Sequence, residues 1–369
     1  MGHYALLGAG DGNLGSLQMK ALPIFFSFDE GYVTPAAVTF ESLLTNAKPG
    51  IFYELYVLHE SIHPESQRKL IELVAKHGNA SLSFISVTGV LESAGILFDD
   101  SSFCLGHDRG KFTKETLLRC LPTLIPEFAQ YDRILYSDVD ICVVDDISEL
   151  FETELEGLYL AGCRIPAFLK EQTAHFPAEL QECYVAGGIW MMNLRQLRKD
   201  DVVSNILEIM RKPPFRLIWN DQDVMNLACC GKVGFISYRY CSIPGWRKML
   251  EPIDYVDCRY PDDALREAIY RPKIVHYAFS KPWSGPCEGG RLWDYWCHRA
   301  GFPMPSVHGA KGAELGFRRE WRISEWGIYF LKHFRLPWIL VRLVRRDDVI
   351  IVKILGFLFR VRLRILSDG

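Results

Sequence analysis

Apolar and polar positions follow one another between residues 20 and 140 as short apolar runs separated by amphipathic stretches. The apolar runs have the length of buried strands, and they predict strands at Pro23–Phe28, Phe52–Leu58, Ser81–Ser86 and Arg133–Ser137. The stretches between them predict helices from Thr34 to about Ala47, over Pro64–His77 and over residues 113–130. Strands that alternate with helices predict an α/β fold with a mostly parallel central sheet.

Capping and proline signals set the limits of two of these helices. Thr34 has the character of an N-cap residue and is followed by Pro35 at the first helical position. In the stretch 113–130, Pro122 and Pro126 are expected to bend or split the helix, because proline lacks the backbone donor and clashes with the preceding turn.

Acidic residues follow two of the predicted strands, at the carboxyl ends where ligands of parallel sheets bind. After Ser137 come Asp138, Val139 and Asp140; along an extended chain the two carboxylates lie on one side and Val139 on the other. Two carboxylates cannot be buried there unpaired, and a divalent cation such as Mg²⁺ or Mn²⁺ would resolve that cost. A phosphoaspartyl hydrolase would also place Asp-x-Asp here, but it would usually have Thr where this chain has Cys142.

Two further segments carry side chains suited to a nucleotide. Asp29 and Tyr32 follow the first strand; a ring can stack on a base and a carboxylate can accept from a base N–H, and an ordinary strand-to-helix loop is the alternative. His276 and Lys281 follow a short strand predicted at Lys273–Val275. Neutral imidazole ligates metals and an ammonium group binds phosphate, but a lone histidine is more often a packed or surface residue.

The composition is that of an ordered globular protein of roughly two domains. The 369 residues are 49% hydrophobic, 13% aromatic and 24% charged, which excludes a mainly disordered chain, a collagen-like repeat and a coiled coil. The formal charge of −3 conceals an asymmetry, because residues 317–369 carry a net charge of +7 and the rest of the chain −10. An acidic body argues against nucleic acid as a partner, and a basic, apolar tail indicates that this part of the chain binds to an anionic surface.

The C-terminal segment, residues 301–369, is predicted to associate with an anionic membrane surface. From Trp321 onward, aromatic and aliphatic residues interleave with arginine and lysine, a pattern that suits a lipid interface. The period-two alternation over Arg360–Arg364 predicts a strand. The alternatives are a helical pair that packs on the body or forms a dimer, which leaves a homo-oligomer open, and RNA binding, which the acidic body disfavours.

Cysteine usage and the amino-terminal residues predict a cytoplasmic protein. The 11 cysteines show neither a CxxC pair nor a zinc-ligand spacing, so we expect buried free thiols in a reducing compartment. Residues 1–20 are interpreted as a loose leader without a signal peptide, and their literal GxGxxG, Gly10–Gly15, precedes the first strand and so is not a dinucleotide fingerprint. The absence of an apolar run of about 18 residues predicts no transmembrane helix.

Five segments between residues 22 and 300 occur in the order that one enzyme family has them. They are FFSFDEGY, YDRILYSDVDICVVDDISELF, YVAGGIWMMNLRQLR, NDQDVMN and HYAFSKPW. Together they resemble glycosyltransferase family 8, the retaining nucleotide-sugar transferases that include glycogenin and bacterial lipopolysaccharide galactosyl- and glucosyltransferases. The resemblance implies a GT-A-type, Rossmann-like nucleotide-sugar-binding domain over residues 21–300.

The same resemblance implies roles for individual residues. Asp138, Asp140 and His276 would coordinate Mn²⁺ or Mg²⁺ together with the diphosphate of UDP, and Asp221 and Gln222 would be the catalytic residues beside the donor sugar. The implied donor-binding residues are Ser27, Asp29, Tyr32, Arg119, Asp138, Val139, Gly187, Gly188 and Lys281. From the residues alone, Arg119 could equally be a surface helix residue, Asp221 an N-cap and the glycine pair a bulge.

The implied function is transfer of a hexose, galactose or glucose, from a UDP-sugar to a cell-surface glycan or lipopolysaccharide-type acceptor with net retention. Two departures from the family pattern matter. Ala186 stands where family members often have Asn, and His276–Lys281 is one residue shorter than HxxGxxKPW and lacks its Gly. These departures leave open a non-catalytic nucleotide-sugar-binding or scaffolding protein at the membrane surface.

Overall fold

The apolar runs of the sequence form a seven-stranded sheet in the computed structural model, which describes residues 20–98, 113–166, 171–244 and 262–303 and three strands between 341 and 362. The chain divides into two compact units, residues 1–307 and 308–369. The predicted leader, apart from Lys20 at the start of the first strand, and its GxGxxG motif lie outside the described residues.

The strands of the first unit are, in chain order, β1 (Lys20–Ser27), β2 (Ile51–His59), β3 (Ala80–Ser86), β4 (Ile134–Ser137), β5 (Ile141–Val143), β6 (Leu160–Arg164), β7 (Val185–Met192), β8 (Val233–Phe235) and β9 (Ile274–His276). The main sheet has the order β3-β2-β1-β4-β7-β6-β8, and β5 pairs with β9 in a separate antiparallel ribbon. In the main sheet, β7 runs antiparallel to both its neighbours and all other pairs are parallel. The predicted α/β fold with a mostly parallel central sheet is confirmed.

The helices of the described residues are α1 (Val33–Thr45), α2 (Pro64–Ala75), α3 (Val87–Ser93), α4 (Lys114–Arg119), α5 (Ala178–Cys183), α6 (Leu194–Lys199), α7 (Val202–Arg211), α8 (Asp221–Cys229), α9 (Asp262–Tyr270) and α10 (Gly290–Ala300). The predicted N-cap at Thr34 is wrong, because α1 continues from a 3₁₀ turn that Asp29 caps by accepting from the Gly31 N–H at 2.9 Å. The stretch 113–130 is split as predicted, with α4 followed by 3₁₀ turns that begin at Pro122 and Pro126.

The sheet is buried on both faces, as a parallel sheet requires. Successive strand residues point to opposite faces, so Phe26 packs on Phe40 of α1, with ring centroids 5.0 Å apart, whereas Phe25 packs on Phe128 and Tyr136 on the other face. Both β1 phenylalanines are at most 1% exposed. Burying each phenylalanine side chain contributes about 1.5–3 kcal/mol to stability. Because Phe25 and Phe26 point to opposite faces, β1 contributes to the apolar core on each side of the sheet.

The order of the strands creates a switch point between β1 and β4. The chain moves from β1 outward to β2 and β3 and then returns to place β4 on the other side of β1. Because β1 and β4 are parallel, their carboxyl ends, Ser27 and Ser137, open at the same edge of the sheet. Ligands of open α/β sheets bind at such a point, and the acidic segments predicted to bind a donor begin there.

A buried carboxylate anchors the loop that follows β5. Asp146 is 4% exposed and accepts hydrogen bonds from the backbone N–H of Lys48 (2.9 Å) and from the N–H and hydroxyl of Ser148 (3.1 and 2.6 Å). Burial alone would raise the pKa of Asp146, but these hydrogen bonds and the Lys48 ammonium lower it. The carboxylate therefore stabilises the fold in its ionised form.

The second unit contains an antiparallel sheet of β10 (Val341–Arg346), β11 (Val349–Ile354) and β12 (Phe357–Arg362). The strand predicted from Arg360 onward is confirmed as far as Arg362, and the alternative of a helical pair is wrong for these three segments. Within the described part of the chain, no helix combines the length and the apolar character needed to cross a membrane.

Candidate functional site

Two aspartates and a histidine converge beyond the carboxyl end of β4. Asp138 directly follows β4, and its backbone N–H donates to Gly188 O at 2.9 Å. Asp140 immediately precedes β5, and His276 ends β9, where it pairs with Ile141 of β5. The His276 Nε2 lies 3.2 Å from Asp140 Oδ1 and 3.6 Å from Asp138 Oδ2. One oxygen or nitrogen atom from each of the three side chains lies within 4.8 Å of the others, which is the spacing of metal ligands. The strand predicted at 273–275 in fact includes His276.

The chemistry of this cluster fits a divalent cation. Asp140 Oδ1 and His276 Nε2 are buried and, although 3.2 Å apart, are not aligned as a hydrogen bond; neither atom has another partner in the described structure. Burial would raise the pKa of Asp140, but His276 and Lys281 hold it below its usual value; burial would lower the pKa of His276, but Asp140 and Asp138 raise it well above its usual value. Two carboxylates and an imidazole are ligands that Mn²⁺ and similar cations accept. The types of residue in the cluster therefore support a site for a divalent metal ion.

Gly188 allows the His276 ring to reach the aspartates. A Cβ at residue 188 would lie 2.7 Å from Nδ1 of His276, 3.1 Å from Nε2 and closer still to Cε1. On the neighbouring residue, a Cβ at Gly187 would lie 3.1 Å from Oε1 of Gln222. The structure thus assigns the two glycines a packing role against side chains; their predicted approach to the donor sugar stays a prediction.

Arg119 joins two carboxylates of the site. Its guanidinium lies 2.6 Å from Asp221 Oδ1 and 3.7 Å from Asp138 Oδ1, and it donates to the Tyr136 hydroxyl at 2.8 Å. The Tyr136 hydroxyl in turn donates to Asp138 Oδ1 at 2.6 Å. With its side chain 20% exposed, Arg119 is not the surface helix residue of the alternative interpretation. Burial raises the pKa of Asp221, and Arg119 opposes that shift.

Gln222 is held at both ends of its amide. Its Oε1 accepts from the Gly187 N–H at 2.6 Å and its Nε2 donates to the Tyr184 hydroxyl at 3.1 Å. The Tyr184 hydroxyl donates to Asp223, which also accepts from the backbone N–H groups of the turn before α8. The N-cap of α8 is Asn220, at φ 44°, so the alternative that Asp221 is the N-cap is wrong. The network fixes the side chain predicted to act beside the donor sugar.

Lys281 lies between the cluster and the residues that follow β1, Asp29 and Tyr32. Its ammonium contacts the Asp140 carboxylate and donates to the backbone oxygens of Tyr277 (2.8 Å) and Ala278 (3.3 Å). These backbone bonds hold the ammonium beside the cluster although the segment is shorter than HxxGxxKPW. Lys281 is consequently placed where an anionic ligand of the cluster would meet it.

All the predicted site residues line two adjoining clefts. A cleft of about 410 Å³ contains Ser27, Asp29, Tyr32, Arg119, Asp138, Val139, Asp140 and Lys281. A second cleft of about 270 Å³ contains Gly187, Gly188, Asp221, Gln222 and His276 and shares Arg119, Asp138, Asp140 and Lys281 with the first. The structure therefore brings these residues together, and their individual roles remain predictions.

Three of these residues have structural partners in the first cleft. The Asp29 carboxylate caps the 3₁₀ turn through Gly31, and the Tyr32 ring packs edge-on against Trp283 with centroids 5.7 Å apart. Ser27 Oγ donates to the backbone oxygen of Glu115 at 3.0 Å. These contacts position the three side chains at the end of β1, where the sequence predicted the base to bind.

Two polar partners of the site, Tyr136 and Tyr184, were not predicted from the sequence. Tyr136 lies in β4 and Tyr184 directly precedes β7; both are buried, and their hydroxyls make hydrogen bonds with Asp138 and Gln222, respectively. One signal was available for Tyr136: it lies two residues before Asp138, hence on the same side of an extended chain. No comparable local signal marked Tyr184, which reaches Gln222 across the fold.

The nine described cysteines are all free, and six of them are buried as predicted. Cys241 is one of the buried six and lies 3.5 Å from Nδ1 of His276. The expectation fails for Cys183 and Cys287, which are half-buried, and for Cys230, which is exposed. The sulfur atoms of Cys183 and Cys230 are 3.7 Å apart. This pair joins the end of α5 to the residue after α8.

Comparisons with known proteins agree with the geometry. The family model described as Glycosyl transferase family 8 matches residues 23–287. A putative glycosyltransferase of Haemophilus influenzae is 24% identical over 245 residues, which are 66% of this chain and 69% of that protein.

Two solved structures show the same fold. The galactosyltransferase LgtC, in complex with donor and acceptor sugar analogs, superposes with a TM-score of 0.57 and 21% identity over 75% of this chain and 96% of LgtC. The bifunctional glycosyltransferase WbbM gives a TM-score of 0.58 and 19% identity over 79% of this chain, which spans about half of WbbM, 51%. These neighbours have the GT-A fold, so the predicted GT-A-type, Rossmann-like architecture is confirmed.

Proposed function

The chain belongs to glycosyl transferase family 8, and from that premise we propose that it is a metal-dependent, retaining transferase that moves a hexose from a UDP-sugar to a glycan acceptor. One observation carries the proposal: Asp138, Asp140 and His276 converge at the switch point of the sheet, with Lys281 beside them. The galactosyltransferase activity in the description of LgtC supports galactose as the hexose, with glucose as the other candidate.

Asp138, Asp140 and His276 would hold the cation, and the imidazole among the ligands favours Mn²⁺ over Mg²⁺. When bound, a divalent cation neutralises negative charge on the departing diphosphate. The Lys281 ammonium adds a second positive charge at the same place, and the backbone oxygens of Tyr277 and Ala278 orient it. Fixed charges of this kind need no reorganisation during the reaction, so they stabilise charge as it develops.

The sugar end of the site is shaped by Asp221 and Gln222. Gln222 is fixed between the Gly187 N–H and the Tyr184 hydroxyl, so its amide keeps one orientation toward the cleft. Burial raises the pKa of the Asp221 carboxylate, and its contact with Arg119 at 2.6 Å opposes that shift. We assign these two groups to the face of the donor sugar where positive charge develops at the anomeric carbon.

At the nucleotide end, Asp29 and Tyr32 are the groups suited to a uracil base. Asp29 accepts only one local backbone hydrogen bond among those described, from Gly31, so a carboxylate has lone pairs left for a base N–H. The Tyr32 ring lines the cleft and packs against Trp283 at an interplanar angle of 79°, which holds the ring at the place we assign to the base.

The experiment is a thermal-unfolding series with UDP, with and without Mn²⁺. A ligand at 100 times its Kd stabilises the folded state by about 2.7 kcal/mol. We expect a Mn²⁺-dependent shift in the wild type and in an Asp132→Ala control, whose carboxylate is exposed, and no shift in Asp138→Ala/Asp140→Ala. A UDP shift that is absent, or that is indifferent to both aspartates, contradicts the metal and nucleotide assignments.

Donor turnover then separates an enzyme from a non-catalytic nucleotide-sugar-binding protein. UDP release from UDP-galactose or UDP-glucose, lost in Asp138→Ala/Asp140→Ala, would support the transferase. UDP binding without turnover of either donor would favour the binding protein.

For the C-terminal segment we propose peripheral association with the cytoplasmic face of an anionic membrane. Strand register places one nearly all-apolar set of positions on one face of its sheet: Val341, Leu343, Arg345, Ile350, Val352, Ile354, Phe357, Phe359 and Val361. The other face has basic residues at Arg342, Arg346, Lys353, Arg360 and Arg362. Apolar area combined with basic residues suits an anionic lipid surface.

Deletion of residues 317–369 tests this part of the proposal. We expect the shortened protein to stop sedimenting with anionic liposomes and to keep donor hydrolysis. Unchanged sedimentation would contradict the membrane assignment and favour packing or dimerisation of the segment.

A further inference from the structure

Phe279 separates two cavities next to the cluster. It lies in the loop after β9, is 50% exposed, and lines the 270 Å³ cleft that contains Gln222 and His276. On its other side it lines a cavity of about 260 Å³ formed by residues 243–244, 277–280 and 286–288. The two cavities share Ile243, Ala278 and Phe279, so the phenyl ring stands between them.

A second aromatic ring faces Phe279 within the cleft. Trp219 lies edge-on to it, with ring centroids 6.5 Å apart and planes at 74°. The backbone N–H of Trp219 donates to Asp223 at 2.7 Å, which is part of the network that fixes Gln222. The indole is thereby attached to the same rigid segment as the predicted catalytic residues.

This combination of side chains suits a pyranose ring. The π face of an aromatic ring is negative and attracts the weakly positive C–H groups on the flat side of a sugar. Sites for small ligands pair such apolar surfaces with a few polar groups, and Gln172 lines the first cavity while Glu288 lines the second. An exposed phenylalanine with cavities on both sides, and polar groups in each, is thus equipped for two successive sugars.

We propose that Phe279 and Trp219 form the acceptor subsite and that the acceptor presents at least two pyranose units. The terminal sugar occupies the cleft beside Gln222, against Phe279 and Trp219. The next sugar occupies the cavity on the far side of Phe279. The proposal rests on the proposed transferase function for the identity of the ligand as an acceptor, but saccharide binding can be measured without any turnover.

The experiment measures saccharide binding by saturation-transfer NMR in the presence of UDP and Mn²⁺, with lactose, cellobiose and maltose as disaccharide probes and galactose and glucose as monosaccharides. The proteins are the full-length wild type, Phe279→Ala, Phe279→Tyr and Tyr270→Ala. Tyr270 is the matched control because it is 52% exposed on α9 and lines neither cavity. Thermal unfolding with UDP is recorded on the same samples.

We expect at least one disaccharide to bind the wild type more tightly than either monosaccharide. Phe279→Ala should raise its Kd about tenfold, which corresponds to about 1.4 kcal/mol, whereas Phe279→Tyr and Tyr270→Ala should retain binding. Unchanged disaccharide affinity in Phe279→Ala, or no binding of any probe to the wild type, overturns the proposal. Loss of the UDP shift in the wild type would instead contradict the proposed function, because the saccharide measurement stands apart from it.

Discussion

Replacing Gly188 by alanine should disrupt the metal cluster and leave the fold intact. The new Cβ would lie 2.7 Å from Nδ1 of His276, a distance that real Cβ contacts do not show. The backbone of His276 is held in place, because its N–H donates to Ser242 O, and its side chain is only 6% exposed. The new contact must therefore be relieved by the imidazole ring itself. We therefore expect the imidazole to move away from Asp138 and Asp140.

The magnitude follows from two opposing effects. Overpacking costs about 1–3 kcal/mol, whereas alanine in place of glycine inside a strand gains about 0.5–1 kcal/mol. The net loss of stability should be at most about 2.5 kcal/mol, or a few degrees in Tm. Disturbing the orientation of a metal ligand weakens metal binding about 10–100-fold. A tenfold loss carried over to UDP would halve its stabilisation, from about 2.7 to about 1.4 kcal/mol.

The assay is thermal unfolding of the wild type, Gly188→Ala and Gly285→Ala, each with and without UDP and Mn²⁺. Gly285 is the matched control, since a Cβ there would have no heavy atom within 4 Å and its φ is not positive. Gly285→Ala should resemble the wild type under both conditions. If Gly188→Ala shows the full wild-type UDP shift, then the lack of a side chain at residue 188 is not what allows His276 to reach the cluster.

Three further predictions test other parts of the structure. Asp146→Asn should lower the free energy of unfolding by about 1–3 kcal/mol at pH 7. Burial raises the pKa of Asp146 but its hydrogen bonds lower it, so its stabilisation is present above the unfolded-state pKa and is lost as the folded carboxylate protonates. In urea unfolding, the difference in stability from the wild type should therefore shrink below about pH 4. Mild oxidation with diamide should link Cys183 to Cys230, whose sulfurs are 3.7 Å apart, and peptide mass spectrometry without reduction should detect the link; other cysteine pairs in its place would contradict the geometry. Tyr184→Phe should keep the UDP shift but lower donor hydrolysis about tenfold, because Gln222 loses an acceptor; an equal loss of UDP binding would argue against a role confined to the sugar end.

Much of the fold could be predicted because its signals are local. Apolar runs gave the parallel strands, and the prolines at 122 and 126 gave the split of the helix. The helix start at Thr34 could not be predicted, because Asp29 caps a preceding 3₁₀ turn and the chain enters α1 without a side-chain cap. The antiparallel direction of β7 has no local signal either, since a buried strand has the same pattern in both directions.

The site divides in the same way. Asp138 and Asp140 are neighbours in sequence, so strand alternation alone placed their carboxylates together. His276 joins them through the pairing of β5 with β9, in which Ile141 lies opposite His276; only the family resemblance foretold that contact. Phe279 was not singled out from the sequence, where it is only part of the shortened His276–Lys281 stretch, because the cavities that it lines exist only in the folded chain.

The charges at the site explain why nucleotide binding should depend on a cation. Six ionisable groups form the metal cluster and its direct ion pairs: Asp138, Asp140, Asp221, Arg119, Lys281 and His276. Asp29, Glu115 and Arg164 line the same two clefts. Burial would lower the pKa of His276, but Asp140 and Asp138 raise it well above its usual value, so without a cation the positive groups of the cluster are paired with its carboxylates. Imidazole must be neutral to ligate a metal. Binding of a divalent cation with loss of the His276 proton therefore raises the net charge of the cluster by one. We expect a diphosphate to bind more tightly when the cation is present for this reason.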